Sequence, residues 1–295
     1  MKEYIISTCS TADLKKEFFV DNGVPFLKFK YYLDEKEYKD DLWESLSVEE
    51  FYRIMSEGAN SKTSQVSPYE YLEHFKDIIE SGKDVIHVCL SSGISGSYNS
   101  ACIARSQVLD EYPDAKVYII DSLCASSGLG LLVSEMVDQK KNGMNIEELY
   151  KWAEEYKFNI NHWFTSTDLT YFVRGGRVSK VSGFIGSMLN VCPILNVDSK
   201  GTLKPRLKAI GKRRALDGLI NKMIENADNG QDYDGKCFIS HSNFYEEAEN
   251  LKKLIEKKFA KLEGKIIIND IGSTIGAHTG PGTVALFFVG KKRED

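Results

Sequence analysis

The sequence lacks the features that mark metal sites, disulfide frameworks and membrane spans. Its cysteines form no CxxC pair and its five histidines no HExxH motif, so we expect no metal and no cofactor. No apolar run reaches the roughly 20 residues of a membrane-spanning helix. The N-terminal segment has no apolar core of a signal peptide either. These absences predict a cytoplasmic protein with reduced, mostly structural thiols and no stable membrane insertion.

An excess of positive charge is also missing. The net charge is −5 and the isoelectric point is near 5.7, which argues against nucleic acid as a partner. Hydrophobic residues make up 42% and charged residues 27% of the 295, as in an ordinary globular protein. This length is enough for one large or two ordinary domains.

Short β-rich runs alternate with amphipathic runs up to about residue 160. Strands are predicted over 3–8 and 24–33, a helix after a cap at Ser10 or Thr11, and further helices after caps at Ser47 and Ser67. This alternation predicts a mostly parallel sheet with helices on both faces, an N-terminal α/β/α domain over 1–160. A hairpin with its turn at 199–201 and further strands and helices predict a mixed C-terminal α/β domain over 161–295.

Two loops rich in hydroxyls precede predicted helices. They are KTSQVSP (62–68) and SSGISGS (91–97), and they would place Thr63, Ser64, Ser92 and Ser95 beside free N–H groups. Two such helix starts can surround one anion, although each loop can equally be no more than a helix cap. The glycine-broken stretches RGGRVS, SGFIGS and GAHTGPG favour a single assembled binding site.

Catalytic signatures are incomplete. The segment GQDYDGKC (230–237) has Walker-like spacing, but Cys237 replaces the required hydroxyl residue and a strand follows it. Ser95 in GISGS resembles a nucleophile elbow whose second glycine comes one residue early. We therefore favour a binding protein, not an enzyme. A hydrolase or acyltransferase using Ser95, with His278, stays open, as does a carrier or sensor of another amphipathic anion.

The motifs as a set resemble the DegV family of fatty-acid-binding proteins, to which the FakB subunits belong. The resemblance rests on six blocks in the same order: STADL (10–14), KTSQVSP (62–68), SSGISGSYNSA (91–101), RGGRVS (174–179), PILNVDSKG (193–201) and IGAHTGPGTVAL (275–286). Six ordered motifs over nearly the whole chain are far more specific than any one of them.

The resemblance implies a two-domain DegV-like fold with a long-chain fatty acid, such as palmitate, stearate or oleate, enclosed near the domain junction. The carboxylate would meet Thr63 and Ser95, and a separate fatty-acid kinase would convert the bound acid to an acyl-phosphate. Arg177 and His278 would lie around the head group. Transient contact with a membrane is compatible with such a role. The wider set of residues implied for ligand or kinase contact adds Ser64, Ser92, Thr279, Arg206, Arg213 and Arg214.

Two positions depart from the family pattern. Cys9 stands where an aspartate commonly ends the first strand, and Gly211 stands where an arginine is frequent. The segment 182–197, rich in small and flexible apolar residues, is predicted either to line the acyl tunnel or to belong to the ordinary core.

Overall fold

The computed structural model describes residues 2–178 and 191–295. The strands are Tyr4–Cys9 (β1), Phe26–Leu27 (β2), Lys30–Leu33 (β3), Lys36–Lys39 (β4), Ser61–Ser64 (β5), Asp84–Cys89 (β6), Val117–Asp121 (β7), Ile160–Ser166 (β8), Val191–Val197 (β9), Leu203–Ile210 (β10), Cys237–His241 (β11), Ile267–Asp270 (β12) and Thr283–Val289 (β13). The α-helices are Lys16–Asp21 (α1), Val48–Ser56 (α2), Pro68–Glu80 (α3), Ser97–Glu111 (α4), Ser127–Lys141 (α5), Ile146–Tyr156 (α6), Thr170–Arg174 (α7), Lys212–Asn226 (α8), Tyr245–Lys258 (α9) and Ser273–Thr279 (α10). None of the helices in these two ranges is long and apolar enough to cross a membrane.

The N-terminal half is built on a parallel sheet with strand order β2–β1–β6–β7. Successive residues of β6 point to opposite faces, so Val85 joins the core beneath α3 and α4 while Ile86 joins the core beneath α5 and α6. Burial on both faces is the reason this strand is apolar apart from Asp84 at its start and His87. The prediction of a parallel sheet covered by helices is confirmed.

The C-terminal half is built on a mixed sheet with strand order β10–β9–β8–β13–β11–β12. Among its described strands only the β11–β12 pair is parallel, and β9 and β10 form the predicted antiparallel hairpin. Helices α8 and α9 contact this sheet, and α5 contacts β8, β11 and β13 as well as β1 and β6. Helix α5 therefore lies between the two sheets, and the predicted mixed α/β fold is confirmed. The boundary near residue 160 stays a prediction.

The close approach of α5 to both sheets requires glycine at two positions. A Cβ on Gly128 would lie 2.1 Å from His162 Nε2, and one on Gly130 would lie 2.5 Å from the Ala12 carbonyl oxygen. Both distances are too short for any side chain, so glycine permits the helix to touch β8 and the turn after β1 at once.

The predicted single strand over 24–33 was wrong. It divides into β2, which joins the parallel sheet, and β3, which joins a separate antiparallel sheet of order β4–β3–β5. Phe29 causes the break, because its N–H donates to Ser10 Oγ and its carbonyl accepts from Asp40 N–H. These two hydrogen bonds replace the strand-to-strand bonds that Phe29 would make in a continuous β-strand.

The predicted start of the first helix, directly after Ser10 or Thr11, was also wrong. Ser10–Ala12 form a single 3₁₀ turn, Asp13 adopts a left-handed conformation with φ of 47°, and α1 begins only at Lys16. The Ser10 hydroxyl accepts from Phe29 N–H and so caps no helix. The predicted caps at Ser47 and Ser67 are confirmed, and Ser67 forms a full capping box with Glu70.

Candidate functional site

A cavity of about 230 Å³ lies where the loops after the parallel strands face the six-stranded sheet. This is the position at which open α/β sheets ordinarily bind ligands. Its apolar wall comes from both halves of the chain and from α10. The residues of this wall are Phe29, Leu90, Ile94, Ala125, Phe164, Phe172, Val197, Leu203, Ile271, Ile275, Ala285 and Phe287. We call this space the acyl cavity, after the fatty acid that the family resemblance implies.

One group of polar side chains on the cavity wall includes Thr63, Ser64, Ser95, Arg177, His278 and Thr279. All six are residues that the sequence predicts for the site, and they come from four separate segments of the chain. Ser92 is not among them, because it is exposed and its backbone N–H donates to Asp121 Oδ1. The structure therefore brings together the predicted residues except Ser92 and the surface arginines.

Thr63 and His278 are joined by a hydrogen bond of 2.7 Å between Oγ1 and Nε2. Thr63 is held in β5, opposite Tyr31 of β3, so the expectation that it lies beside the open end of a helix was wrong. The N–H groups at the start of α3 are capped by Ser67 and Glu70 instead. A strand position gives Thr63 a fixed direction, because its backbone is locked by the ladder.

His278 lies in the last turn of α10 and not in a glycine loop, which corrects the prediction for GAHTGPG. The helix ends at Thr279, and the turn Gly280–Gly282 then leads into β13. A helical position fixes the imidazole against β5 more firmly than a loop would. The sequence pattern concealed this helix because two of its seven residues are β-branched threonines and one is glycine.

The His278 imidazole is kept neutral by its surroundings. Burial, and secondarily the positive charge of Arg177, lower the pKa of His278 to about 4. Its Nδ1 is buried and has no hydrogen-bond partner among the described residues. A Cβ on Gly175 would lie 2.2 Å from that nitrogen, so the chain approaches the ring as closely as only glycine allows.

We expect this pKa to be visible by NMR. The Cε1 proton of His278, assigned with a His278→Asn variant, should titrate near pH 4, while an unfolded histidine titrates near 6.5. Because the unfolded chain binds the proton more readily, this histidine should reduce stability as the pH falls from about 6.5 toward 4. A midpoint near 6.5 in the folded protein would show that the ring is not buried as described.

The start of α4 lies at the cavity wall, where Ser95 and Gly96 line it. Its N-cap is Gly96, without a side-chain cap, and its first turn carries no acidic residue. Ser95 Oγ accepts from the Ser97 N–H at 3.2 Å. Gln65, also on the cavity wall, is held by a hydrogen bond to Ser100 Oγ in the next turn. A 15-residue helix whose first turn carries no acidic residue favours a negative group beside Ser95.

Arg177 stabilises the rim of the cavity by capping carbonyl groups. Its Nε donates to the Ile94 carbonyl at 3.1 Å, and its Nη1 donates to the Gly175 carbonyl at the end of α7. It therefore joins α7 to the loop that carries Ser95. Its burial lowers the pKa of the guanidinium, and no carboxylate of the described ranges lies within 4.0 Å of it. The arginine thus keeps a net positive charge at the cavity wall.

The surface arginines lie away from the cavity wall. Arg206 donates to Asn196 Oδ1 at 2.8 Å, and Arg213 pairs with Asp217 one turn along α8. Gly211, the position that departs from the family pattern, is the N-cap of α8 with a φ of 85°. An arginine there would be strained in this conformation, so glycine suits this helix start.

The geometry does not pair Ser95 with a base. His278 Nε2 is bonded to Thr63, and Ser95 Oγ accepts from a backbone N–H. Within residues 2–178 and 191–295 no group of three or more His, Cys, Asp or Glu side chains could hold a metal ion. What the described residues place together is a set of hydroxyls and the Arg177 guanidinium beside an apolar space.

Cys9 belongs to a buried polar chain beneath the site. Its Sγ lies 3.4 Å from Tyr71 OH, which in turn bonds to Ser97 Oγ at 2.6 Å in the first turn of α4. Burial raises the pKa of the Cys9 thiol to about 12, so it stays neutral. At this position, where the resemblance implies an aspartate, the chain therefore carries a packed, neutral thiol.

Some wall residues were missed by sequence reasoning. Thr283, Ala285 and Phe287 alternate along β13 and share one face, as do His162 and Phe164 along β8. The alternation was visible in the sequence, but these strands are buried on both faces, so polarity did not reveal which face is open. Of the predicted tunnel segment, 182–190 lies outside the described residues, and Val197 lines the cavity.

Known proteins share both the sequence pattern and the fold of this chain. A family model described as "Uncharacterised protein, DegV family" matches residues 4–291. The chain belongs to the DegV family. A DegV domain-containing protein of Clostridium perfringens is 37% identical over 294 residues, which is 100% of both chains. The resemblance seen in the ordered motifs is therefore confirmed.

Solved structures of similar proteins contain fatty acids. A stearic acid-binding protein from Eubacterium ventriosum shares 26% identity with a TM-score of 0.85, and the match covers 98% of each chain. The Streptococcus pneumoniae fatty acid kinase B3 protein, loaded with linoleic acid, shares the fold with a TM-score of 0.82 at 23% identity, over 99% of this chain and 100% of that chain. Structural neighbours of this DegV protein thus bind fatty acids.

Proposed function

We propose that this DegV protein binds one long-chain fatty acid in the acyl cavity and presents its carboxyl group to a fatty-acid kinase. The observation that carries the proposal is the cavity itself, an apolar space with hydroxyls, the start of α4 and a half-buried arginine on its wall. The proposal includes a cytoplasmic location, a junction between residues 1–160 and 161–295 near the cavity, and transient contact with membranes that supply the acid.

The tail supplies the affinity in this proposal. Transfer of a methylene group from water contributes about 0.8 kcal/mol, so a sixteen-carbon tail offers on the order of 12 kcal/mol. Association and ordering oppose this by roughly 4–15 kcal/mol. The balance allows binding without a strong ionic contact at the head group, which agrees with a wall that offers hydroxyls and N–H groups rather than a buried lysine.

The head group would be oriented by Thr63, Ser95 and the start of α4. A carboxylate that accepts such hydrogen bonds is favoured in its ionised form. Neutral His278 can share the Thr63 hydroxyl or donate through its second nitrogen, and Arg177 adds a positive charge without occupying the carboxylate. One face of the carboxylate would stay open for the kinase, as acyl-phosphate formation requires.

The proposal is tested by the ligand that the protein carries. Protein purified without added lipid should release a fatty acid in about equimolar amount on denaturing extraction and mass spectrometry, and the loaded form should be phosphorylated by a fatty-acid kinase with ATP. Absence of acyl chains together with no thermal stabilisation by added fatty acid would rule it out. A different amphipathic anion in native mass spectrometry would replace the fatty acid with that ligand.

Head-group variants should weaken binding without altering the fold. We expect Thr63→Val and Ser95→Ala each to reduce fatty-acid affinity by about 1–3 kcal/mol, because each removes a donor from a buried carboxylate. Affinity is measured by displacement of a fluorescent fatty acid. Ser92→Ala is the matched control, since Ser92 is exposed and lies in the same loop as Ser95. Equal affinity of all three variants and wild type would mean that the carboxylate lies elsewhere.

A further inference from the structure

A second cavity, of about 340 Å³, shares none of its lining residues with the acyl cavity. Three segments form it: the turn after β1 with Asp13, the loop before α2 with Leu42 and Trp43, and the end of β12 with Asn269 and Asp270. We call it the acidic cavity. The fatty-acid proposal makes no use of it.

Two buried oxygen atoms of this cavity lack hydrogen-bond partners among the described residues. They are Oδ1 of Asp13 and Oδ1 of Asn269, and both residues are only 4% exposed. Their other polar atoms are engaged: Asp13 Oδ2 accepts from Ser126 Oγ at 2.6 Å, and Asn269 Nδ2 donates to Ser127 Oγ at 3.2 Å. Asn269 Oδ1 can only accept, and so can Asp13 Oδ1 when its carboxyl is ionised, so a partner that meets both atoms must donate.

The charges around these oxygens favour a positive donor. The carboxyl of Asp270 lies at the same cavity with 43% of its side chain exposed. Burial, together with the negative charges of Asp40 and Asp270, raises the pKa of Asp13, although the Ser126 hydroxyl and the nearby Gly272 N–H partly offset this rise. Lys15, Lys16 and Glu17 line the cavity as well. Lys16 pairs with Glu44, whereas Lys15 forms no ion pair within 4.0 Å to a carboxylate of the described ranges.

Another part of the lining, formed by Leu42 and Trp43, is apolar. Leu42 and Trp43 adopt consecutive left-handed conformations, with φ of 62° and 68°, which side chains of this size rarely accept. The Trp43 ring is held against Phe51 and Tyr52 at centroid distances of 5.5 Å and 6.3 Å. An aromatic wall beside unpaired acceptors suits an organic cation.

A metal ion fits this cavity poorly. The cavity has many times the volume of a metal ion. In addition, the residues that the structure describes hold no cluster of three or more His, Cys, Asp or Glu able to bind a metal ion. The geometry points to a small organic ammonium compound, whose N–H groups donate to Asp13 and Asn269 while its carbon skeleton packs against Leu42 and Trp43.

Benzylamine is a suitable probe, because it joins one ammonium group to one ring. We expect it to bind and to shift the indole N–H signal of Trp43 in ¹⁵N-labelled wild-type protein, with that signal assigned by Trp43→Phe. Benzyl alcohol, which has the same shape without the charge, should bind at least about tenfold more weakly, because it leaves the carboxylate uncompensated. Mg²⁺ alone should not shift the signal.

Two substitutions should weaken benzylamine binding by at least about tenfold, since each removes one acceptor or its charge. They are Asp13→Asn and Asn269→Leu, and the second keeps the test valid if the first fails to fold. Asp41→Asn is the matched control, since Asp41 does not line the cavity. The proposal is overturned by any of three results: no benzylamine shift in wild type, equal binding of benzyl alcohol, or unchanged binding in folded Asp13→Asn or Asn269→Leu protein.

Discussion

Replacement of Arg293 by methionine should lower the free energy of unfolding by about 3 kcal/mol, because it removes the side-chain donor of three buried carbonyl groups. Arg293 is 7% exposed although it lies close to the C-terminal end of the sequence. Its Nη1 donates to the carbonyls of Leu123 and Asp198, and its Nη2 donates to the carbonyl of Lys157. One side chain thus ties the loop before α5 to the β9–β10 turn and to the segment before β8.

Two opposing terms set the size of this effect. The Asp198 carbonyl keeps the Gly201 N–H as a donor, whereas the carbonyls of Leu123 and Lys157 lose theirs. At about 1–3 kcal/mol for each of these two groups, the cost is roughly 2–6 kcal/mol. Removal of a buried guanidinium recovers its desolvation cost, which is several kcal/mol after relaxation. That cost is visible in the pKa of Arg293, which burial lowers. The expected loss therefore lies toward the lower end of the range.

Equilibrium unfolding in urea, with fluorescence detection, measures this loss. Lys292→Met is the matched control, because Lys292 is the adjacent residue and is exposed, so its replacement should change stability by no more than about 0.5 kcal/mol. Equal unfolding midpoints for the two variants would show that the Arg293 bonds contribute nothing net.

The positions of helices and strands were predictable from the sequence where residues close together in the chain determine them. Ser67 and Glu70 reveal a helix start through a three-residue spacing that needs no tertiary information. The course of the chain at Ser10 and Phe29 was not predictable, because it depends on a hydrogen bond between residues 19 positions apart. Local polarity there suggested a cap, whereas the tertiary partner decided the conformation.

The candidate site was predictable in place but not in its geometry. The carboxyl ends of parallel strands meet at one edge, so Ser95 could be placed there from the strand order alone. The hydrogen bond between Thr63 and His278 spans 215 positions and depends on β5 and α10, neither of which the sequence predicts. Ser92 and Ser95 are the same residue type in the same loop, and the sequence does not distinguish them, but only Ser95 lines the cavity.

Replacement of Ala285 by tryptophan should abolish fatty-acid binding, with a loss of at least about 100-fold in affinity. Ala285 is 5% exposed and lies in the middle of β13, between Thr283 and Phe287 on the face that lines the acyl cavity. An indole at this position would occupy much of the 230 Å³ and exclude the tail, from which the proposed affinity derives. The ladder bonds of β13 to β8 and β11 involve only backbone, so the sheet should persist.

A graded series separates steric exclusion from general damage. Ala285→Val removes only part of the space, so it should shift preference toward shorter acyl chains, whereas Ala285→Trp should lose all lengths. Ala260→Trp adds the same side chain at an exposed position and should bind like wild type. Circular dichroism and the unfolding midpoint establish that each variant is folded. Folded Ala285→Trp protein that retains wild-type affinity for palmitate would place the acyl chain outside this cavity.

The loss of fatty-acid affinity in Ala285→Trp follows from volume alone, so it should be the same at low and high salt. A loss of affinity that acts through the charge of Arg177 would instead depend on salt.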